Sequence, residues 1–276
     1  MVWTGVLRAV LLLSLPSSGI SNTETRKPID LTALKHIVSV INVHANKDPA
    51  SRSSGSSSSS GSPSVTQSNR REDFQYAMAV RIAKNQCLQG FNEQGLEPLK
   101  TEVSNFKNNP ETRDVYEGQM VIAARSKNER HSEYKLLIEN ERKVIKQLLE
   151  SKQGRNDEDC VIFYTYNSPC LKRCLNEEAD KKTRKIHDKQ TTKGKKLTGI
   201  FRCIYNYLDE LNSLQGPRAF VFSQIYREDV DKEELSDCFR KIADQIPLYQ
   251  CDNNNRCRHC GQDNEYCAGA GADLAG

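Results

Sequence analysis

The stretch CVIFYTYNSPCLKRC, Cys160 to Cys174, constrains the fold more than any other part of the chain. Val161, Ile162, Phe163 and Tyr164 make an apolar, β-branched and aromatic run of the kind that fills a buried strand, and Asn167-Ser168-Pro169 stops it. If Pro169 opens a helix, where proline is best tolerated, Cys170 and Cys174 lie one turn apart on the same helix face. Two thiols then stand together at the end of a buried strand.

The rest of the chain supplies a sheet for that strand. FQYAMAVRIA (74–83), GQMVIAARS (118–126) and RAFVFSQIY (218–226) read as further strands, and the polar residues between the first two, with Pro98 and Asn109-Pro110, read as a long connection. In ERHSEYKLLIENERKVIKQLLE (129–150), Tyr134, Leu137, Ile138, Val144 and Leu148 recur at helical spacing. A second helix is expected over about 231–245. Asp30-Leu31-Thr32 can cap a third over 31–45, in which Leu34, Ile37, Val38 and Ile41 share one stripe. Strands alternating with helices imply an α/β layer arrangement.

With 276 residues, a formal charge of +4 and 37% hydrophobic residues, the chain suits one domain with polar extensions. Residues 1–21 carry a lone Arg8, an apolar run from Ala9 to Leu15 and small residues ending Gly19-Ile20-Ser21, which reads as a signal peptide and so predicts secretion. That run is too short to span a bilayer and no later segment approaches the length, so no membrane association is expected. The Ser/Gly-rich insert at 51–69 cannot bury enough apolar surface to order itself. In the basic run 181–196, Lys193, Lys195 and Lys196 belong either to a solvated face or to a strip that contacts nucleic-acid phosphates.

Ten cysteines in an oxidising compartment would ordinarily form a disulfide framework. Cys87, Cys160, Cys203 and Cys238 read as core thiols or disulfide halves. The tail, 251–276, offers little apolar surface around Cys251, Cys257, Cys260 and Cys267, so two disulfides are expected among these four, with connectivity open, closing a small appendage outside the main fold.

A different use for Cys170 and Cys174 comes from His131-Ser132-Glu133, at the start of the 129–150 helix. On a first turn both His131 and Glu133 can address something just beyond the helix end. His131, Cys170 and Cys174 give zinc three protein donors and leave a fourth position for water, the layout of a catalytic site. Glu133 is then placed to take the water's proton and return it to a substrate. The competing reading is a secreted, disulfide-stapled interaction protein without catalysis, in which the two cysteines pair elsewhere and His131 and Glu133 lie on the surface.

HSE followed by YNSPCLKRC resembles the zinc-dependent cytidine deaminase superfamily, whose signature is His-x-Glu and then Pro-Cys-x(2–4)-Cys. The Ser-Pro-Cys form and the leader are similar to the AID/APOBEC-like branch, and within it to the secreted novel AID/APOBEC-like deaminases of vertebrates. Over residues 30–250 this resemblance implies a five-stranded mixed sheet flanked by helices, and conversion of cytosine to uracil in single-stranded DNA or RNA, with a defence role and free nucleosides or nucleotides as the alternative substrate. It implies zinc on His131, Cys170 and Cys174, proton transfer by Glu133, and substrate contacts by Ser168 and Tyr226. Asn167 stands where the family carries tryptophan, so the floor of the base pocket is built differently here. No protein partner can be read from the sequence.

Overall fold

The computed structural model describes residues 28–45, 75–108, 115–127, 130–138, 148, 158–183, 203–252, 254, 256–261 and 267–268. An interior strand of its sheet is β1 (Tyr76–Ile82), every residue of which is buried. Alternate side chains of a strand face opposite ways, so burial throughout requires cover on both faces. Tyr76, Met78, Val80 and Ile82 pack into one apolar cluster with α1 (Leu31–Ala45) and α2 (Glu97–Asn108). Ala77 and Ala79 pack into the other, with α3 (Ser132–Leu137) and α5 (Glu234–Ala243). The result is a sheet between two helical layers.

The sheet has seven strands in the order β2-β3-β1-β4-β5-β6-β7. Besides β1 these are β2 (Val115–Glu117), β3 (Val121–Arg125), β4 (Cys160–Asn167), β5 (Arg218–Gln224), β6 (Leu248–Cys251) and β7 (Cys257–His259). β1 runs antiparallel to both β3 and β4, while β4, β5 and β6 are mutually parallel. Seven strands replace the five expected, because a three-residue strand is added at each edge. On one edge Glu102 of α2 accepts the backbone N–H groups of Gln119, Met120 and Val121, which holds the β2–β3 turn shut. On the other edge the Cys251–Cys257 disulfide closes the β6–β7 hairpin.

The helices follow from local chemistry. Asp30 Oδ1 accepts the N–H groups of Thr32 and Ala33, which caps α1, and Leu34, Ile37, Val38 and Ile41 are buried along the expected stripe. The stretch between the first two strands corrects the reading of it as connection, because it contains α2, with Leu99, Val103 and Phe106 buried. Pro98 starts that helix instead of breaking it, since a first-turn residue has no intrahelical N–H bond to lose. Residues 177–183 form α4. The 129–150 helix is described only as α3 and at Leu148, and the 231–245 helix is trimmed to α5.

Cys87–Cys160 ties the chain beyond β1 to the start of β4, and Cys260–Cys267 joins Cys251–Cys257 in the tail. The two tail disulfides occur as expected, but the appendage does not. Cys251 lies in β6, β7 pairs with β6, and Cys260 is fully buried in the core, so this segment is part of the sheet. Among the described residues no helix is long and apolar enough to cross a membrane. Residues 1–21, the insert at 51–69, and Lys193, Lys195 and Lys196 lie outside the described residues.

Candidate metal centre

Antiparallel β1 begins at the same end of the sheet at which β3, β4 and β5 finish. The segments leaving those three strands therefore converge, and in sheets of this kind that edge is where ligands bind. After β3 come His131, Ser132 and Glu133. After β4 come Ser168, Pro169 and Cys170. After β5 comes Tyr226. The alanines of β1 and β3 have a role here, because Ala77, Ala79 and Ala124 give α3 a flat surface and let its first turn approach the sheet closely.

His131 is the N-cap of α3 and Glu133 lies in its first turn, as expected. The second half differs from the expectation. No α-helix begins at Pro169. Residues 171–174 form a single turn, closed by Cys174 N–H on the Cys170 carbonyl at 3.0 Å, and α4 starts only afterwards. That turn is enough to set both sulfurs on one side. Cys170 Sγ is 3.6 Å and Cys174 Sγ 3.3 Å from His131 Nδ1, and the three donor atoms all lie within 4.8 Å of one another. An ion held tetrahedrally at about 2.3 Å from sulfur and about 2.0 Å from nitrogen sets those atoms about 3.5 Å apart, so the three residues fit zinc. Cys170 and Cys174 are free and buried, as the metal reading requires and as a pairing with distant cysteines does not.

The electrostatics of this cluster are tightly linked. The Cys170 thiol is lowered to about 4, because the Cys174 thiol donates to it and His131 bonds and faces it, against the effect of burial. Cys174 is pushed well above its usual value by that same bond and by burial. Burial pulls His131 down, but the Cys170 sulfur and Glu133 more than offset this, so its net shift is upward. The bond between the two sulfurs thus moves their acidities in opposite directions, and a metal held by both requires the loss of their protons.

Glu133 is 1% exposed, contrary to any reading of it as a surface residue. Burial raises its carboxyl to about 7, with His131 acting in the opposite direction. Its Oε2 accepts from Ser132 Oγ at 3.1 Å and its Oε1 from Gln75 Nε2 at 2.9 Å. A carboxyl near neutrality beside three metal donors can take and return a proton at ordinary pH.

Asn167, Ser168 and Tyr226 lie on the same edge. Ser168 donates its N–H to the Gln224 carbonyl at 2.7 Å, and its Oγ accepts the Tyr226 N–H at 3.0 Å. Tyr226 lies two residues beyond the end of β5 instead of ending the strand. Asn167 is 3% exposed, and its Oδ1 accepts from Gln224 Nε2, its neighbour across the parallel β4–β5 pair. An amide held by strand pairing thus stands directly before the Ser168-Pro169-Cys170 segment.

Three residues had no local signal in the sequence. Gln75 and Gln224 reach the site only through strand register. Asp229, 6% exposed, accepts the Leu171 N–H at 2.8 Å and so ties the cysteine turn to the loop after β5. Burial moves its carboxyl upward, partly offset by that N–H.

A family model described as Secreted Novel AID/APOBEC-like Deaminase 1 matches residues 64–269, a span that includes all seven strands and every one of these site residues. No curated protein and no solved structure matches the chain.

Proposed function

From the premise that this chain belongs to the Secreted Novel AID/APOBEC-like Deaminase 1 family, we propose that it is a secreted zinc-dependent deaminase converting cytosine to uracil in single-stranded nucleic acid. The observation that carries this reading is the convergence of His131 Nδ1, Cys170 Sγ and Cys174 Sγ beside the buried carboxyl of Glu133. Zinc held by these three donors supplies Lewis-acid activation of water. The two thiolates balance the charge of such an ion, and the N-terminal end of α3 favours the negative charge gathered there.

Glu133 takes a proton from the attacking water and gives it to the exocyclic nitrogen of cytosine. The water oxygen bonds to C4, the bond from C4 to that nitrogen breaks, and uracil and ammonia leave. Asn167, Ser168 and Tyr226 form the wall against which the base lies. Lys193, Lys195 and Lys196 contact phosphates, and the biological setting is defence against foreign nucleic acid outside the cell.

The test is uracil formation by the purified full chain on single-stranded DNA, single-stranded RNA and free cytidine. Turnover on a polymer strand supports the reading, turnover on cytidine alone replaces the substrate, and no turnover with zinc bound removes the activity. Neutralising Lys193, Lys195 and Lys196 flattens the salt dependence of strand binding if they meet phosphates, and leaves the slope unchanged if they do not.

A further inference from the structure

We infer that Gln75 is the positioning residue for Glu133, an inference that rests on the deaminase reading above. Gln75 stands one residue before β1. Tyr76 pairs with Arg125 and Ala77 with Thr165, so the two antiparallel registers carry position 75 beside Ser126 at the end of β3 and beside Asn167 at the end of β4. The Ser126 N–H donates to the Gln75 carbonyl at 3.0 Å. The Gln75 backbone therefore lies between the two segments that bring the metal donors together.

Its side chain links those segments with two bonds. Oε1 accepts the backbone N–H of Asn167 at 2.9 Å, and Nε2 donates to Glu133 Oε1 at 2.9 Å. The chemistry of the partners fixes this orientation, because a peptide N–H can only donate. The amide oxygen must face Asn167, which turns the NH2 group onto the carboxylate. Ser132 Oγ occupies the other oxygen of Glu133 at 3.1 Å. The two carboxylate oxygens offer four lone pairs, and with the backbone N–H of Glu133 also bonded to the carboxylate one remains available for a proton in transfer. The carboxylate is held by a donor at each oxygen, and one of those donors is anchored to the strand that leads into Cys170.

Two substitutions separate this role from a structural tie between β1 and β4. Gln75→Met keeps the length of the side chain and removes both bonds, whereas Gln75→Glu keeps an acceptor for the Asn167 N–H and sets a second carboxyl against Glu133. Both lower kcat by at least about 10-fold, the scale of a small misplacement of a reacting group, with KM and zinc content unchanged. Wild-type kcat in Gln75→Glu would overturn the inference, because a structural tie survives that change. A second measurement does not depend on turnover. In denaturant unfolding of the full chain, Gln75→Met and Glu133→Leu, each of which removes the bond, together shift the midpoint by less than the sum of their separate shifts. Additive shifts would refute the contact. A wild type that makes no uracil counts against the deaminase reading, and the unfolding comparison still decides the role of Gln75.

Discussion

Asp229 connects a surface loop to the metal donors, and replacing it separates the effect of its charge from that of its oxygen. Its Oδ2 accepts the N–H of Leu171, the residue after Cys170, at 2.8 Å, in a position where Asp229 is only 6% exposed. A hydrogen bond to a charged acceptor contributes about 1.5–3 kcal/mol. Asp229→Ala leaves that N–H without its partner and frees the turn that sets the two sulfurs, so ordering the turn must be recovered when the metal binds. Outer contacts of this kind change metal affinity by about 10- to 100-fold, or about 1.4–2.7 kcal/mol, which agrees with the value of the bond. Asp229→Asn retains an acceptor oxygen. It also removes a charge that burial disfavours, as the upward shift of the carboxyl shows, so its zinc affinity stays within about 3-fold of wild type. Competition titration of the full chain against a chelator of known affinity measures all three proteins. Wild-type affinity in Asp229→Ala would refute the reasoning, and so would equal losses in the two variants.

Other outcomes follow from the same geometry. In the metal-free chain, the carboxyl of Glu133 holds its proton to about pH 7, whereas an ordinary one releases it near 4.5. The folded state binds more protons in that window, so stability is full below it and falls by up to about 3 kcal/mol as pH rises through it. Cys170, lowered to about 4, acts in the opposite direction over the same window, so the Glu133 contribution is read as the difference between wild type and Glu133→Gln in urea unfolding of the zinc-stripped chain against pH. A Cβ at Gly216 would overlap the carbonyl oxygens of Glu158 and Asp159 at the entry to β4. Gly216→Ala therefore lowers stability by about 1–3 kcal/mol, visible as a lower thermal midpoint. Chelation in the presence of a thiol oxidant joins the neighbouring Cys170 and Cys174, each thiol losing a hydrogen to the oxidant, and leaves the three existing disulfides as they are. Peptide mapping shows one added bridge, and a Cys170 still free after that treatment would contradict the donor arrangement.

Where residues act through neighbours in the chain, the sequence was legible. The Asp30 cap and the apolar stripe place α1 at Leu31–Ala45, as expected. The run from Cys160 is a strand buried along nearly its whole length. His131 with Glu133, and Cys170 with Cys174, were legible only as a conjunction of two short motifs, each beside a predicted element. Features made by distant partners were not. The three-residue strands β2 and β7 exist because Glu102 and the Cys251–Cys257 bridge hold their turns, and three residues carry too little pattern to be read alone. Gln75 looks like the polar start of a strand until two antiparallel registers set it against Asn167 and Glu133. Pro98 reads as part of a connection because its place in a first turn depends on where α2 begins.

In the proposed reaction Glu133 moves protons beside a metal held by His131, Cys170 and Cys174. The most direct measurement compares wild type and Glu133→Gln, each purified as the full chain, for zinc content and for uracil formed in a single-stranded substrate. The geometry predicts one zinc per chain in both proteins and a loss of turnover of at least about 100-fold in the variant, since an amide cannot accept the water's proton. Full turnover in Glu133→Gln, or a folded wild type without zinc at these residues, would contradict it.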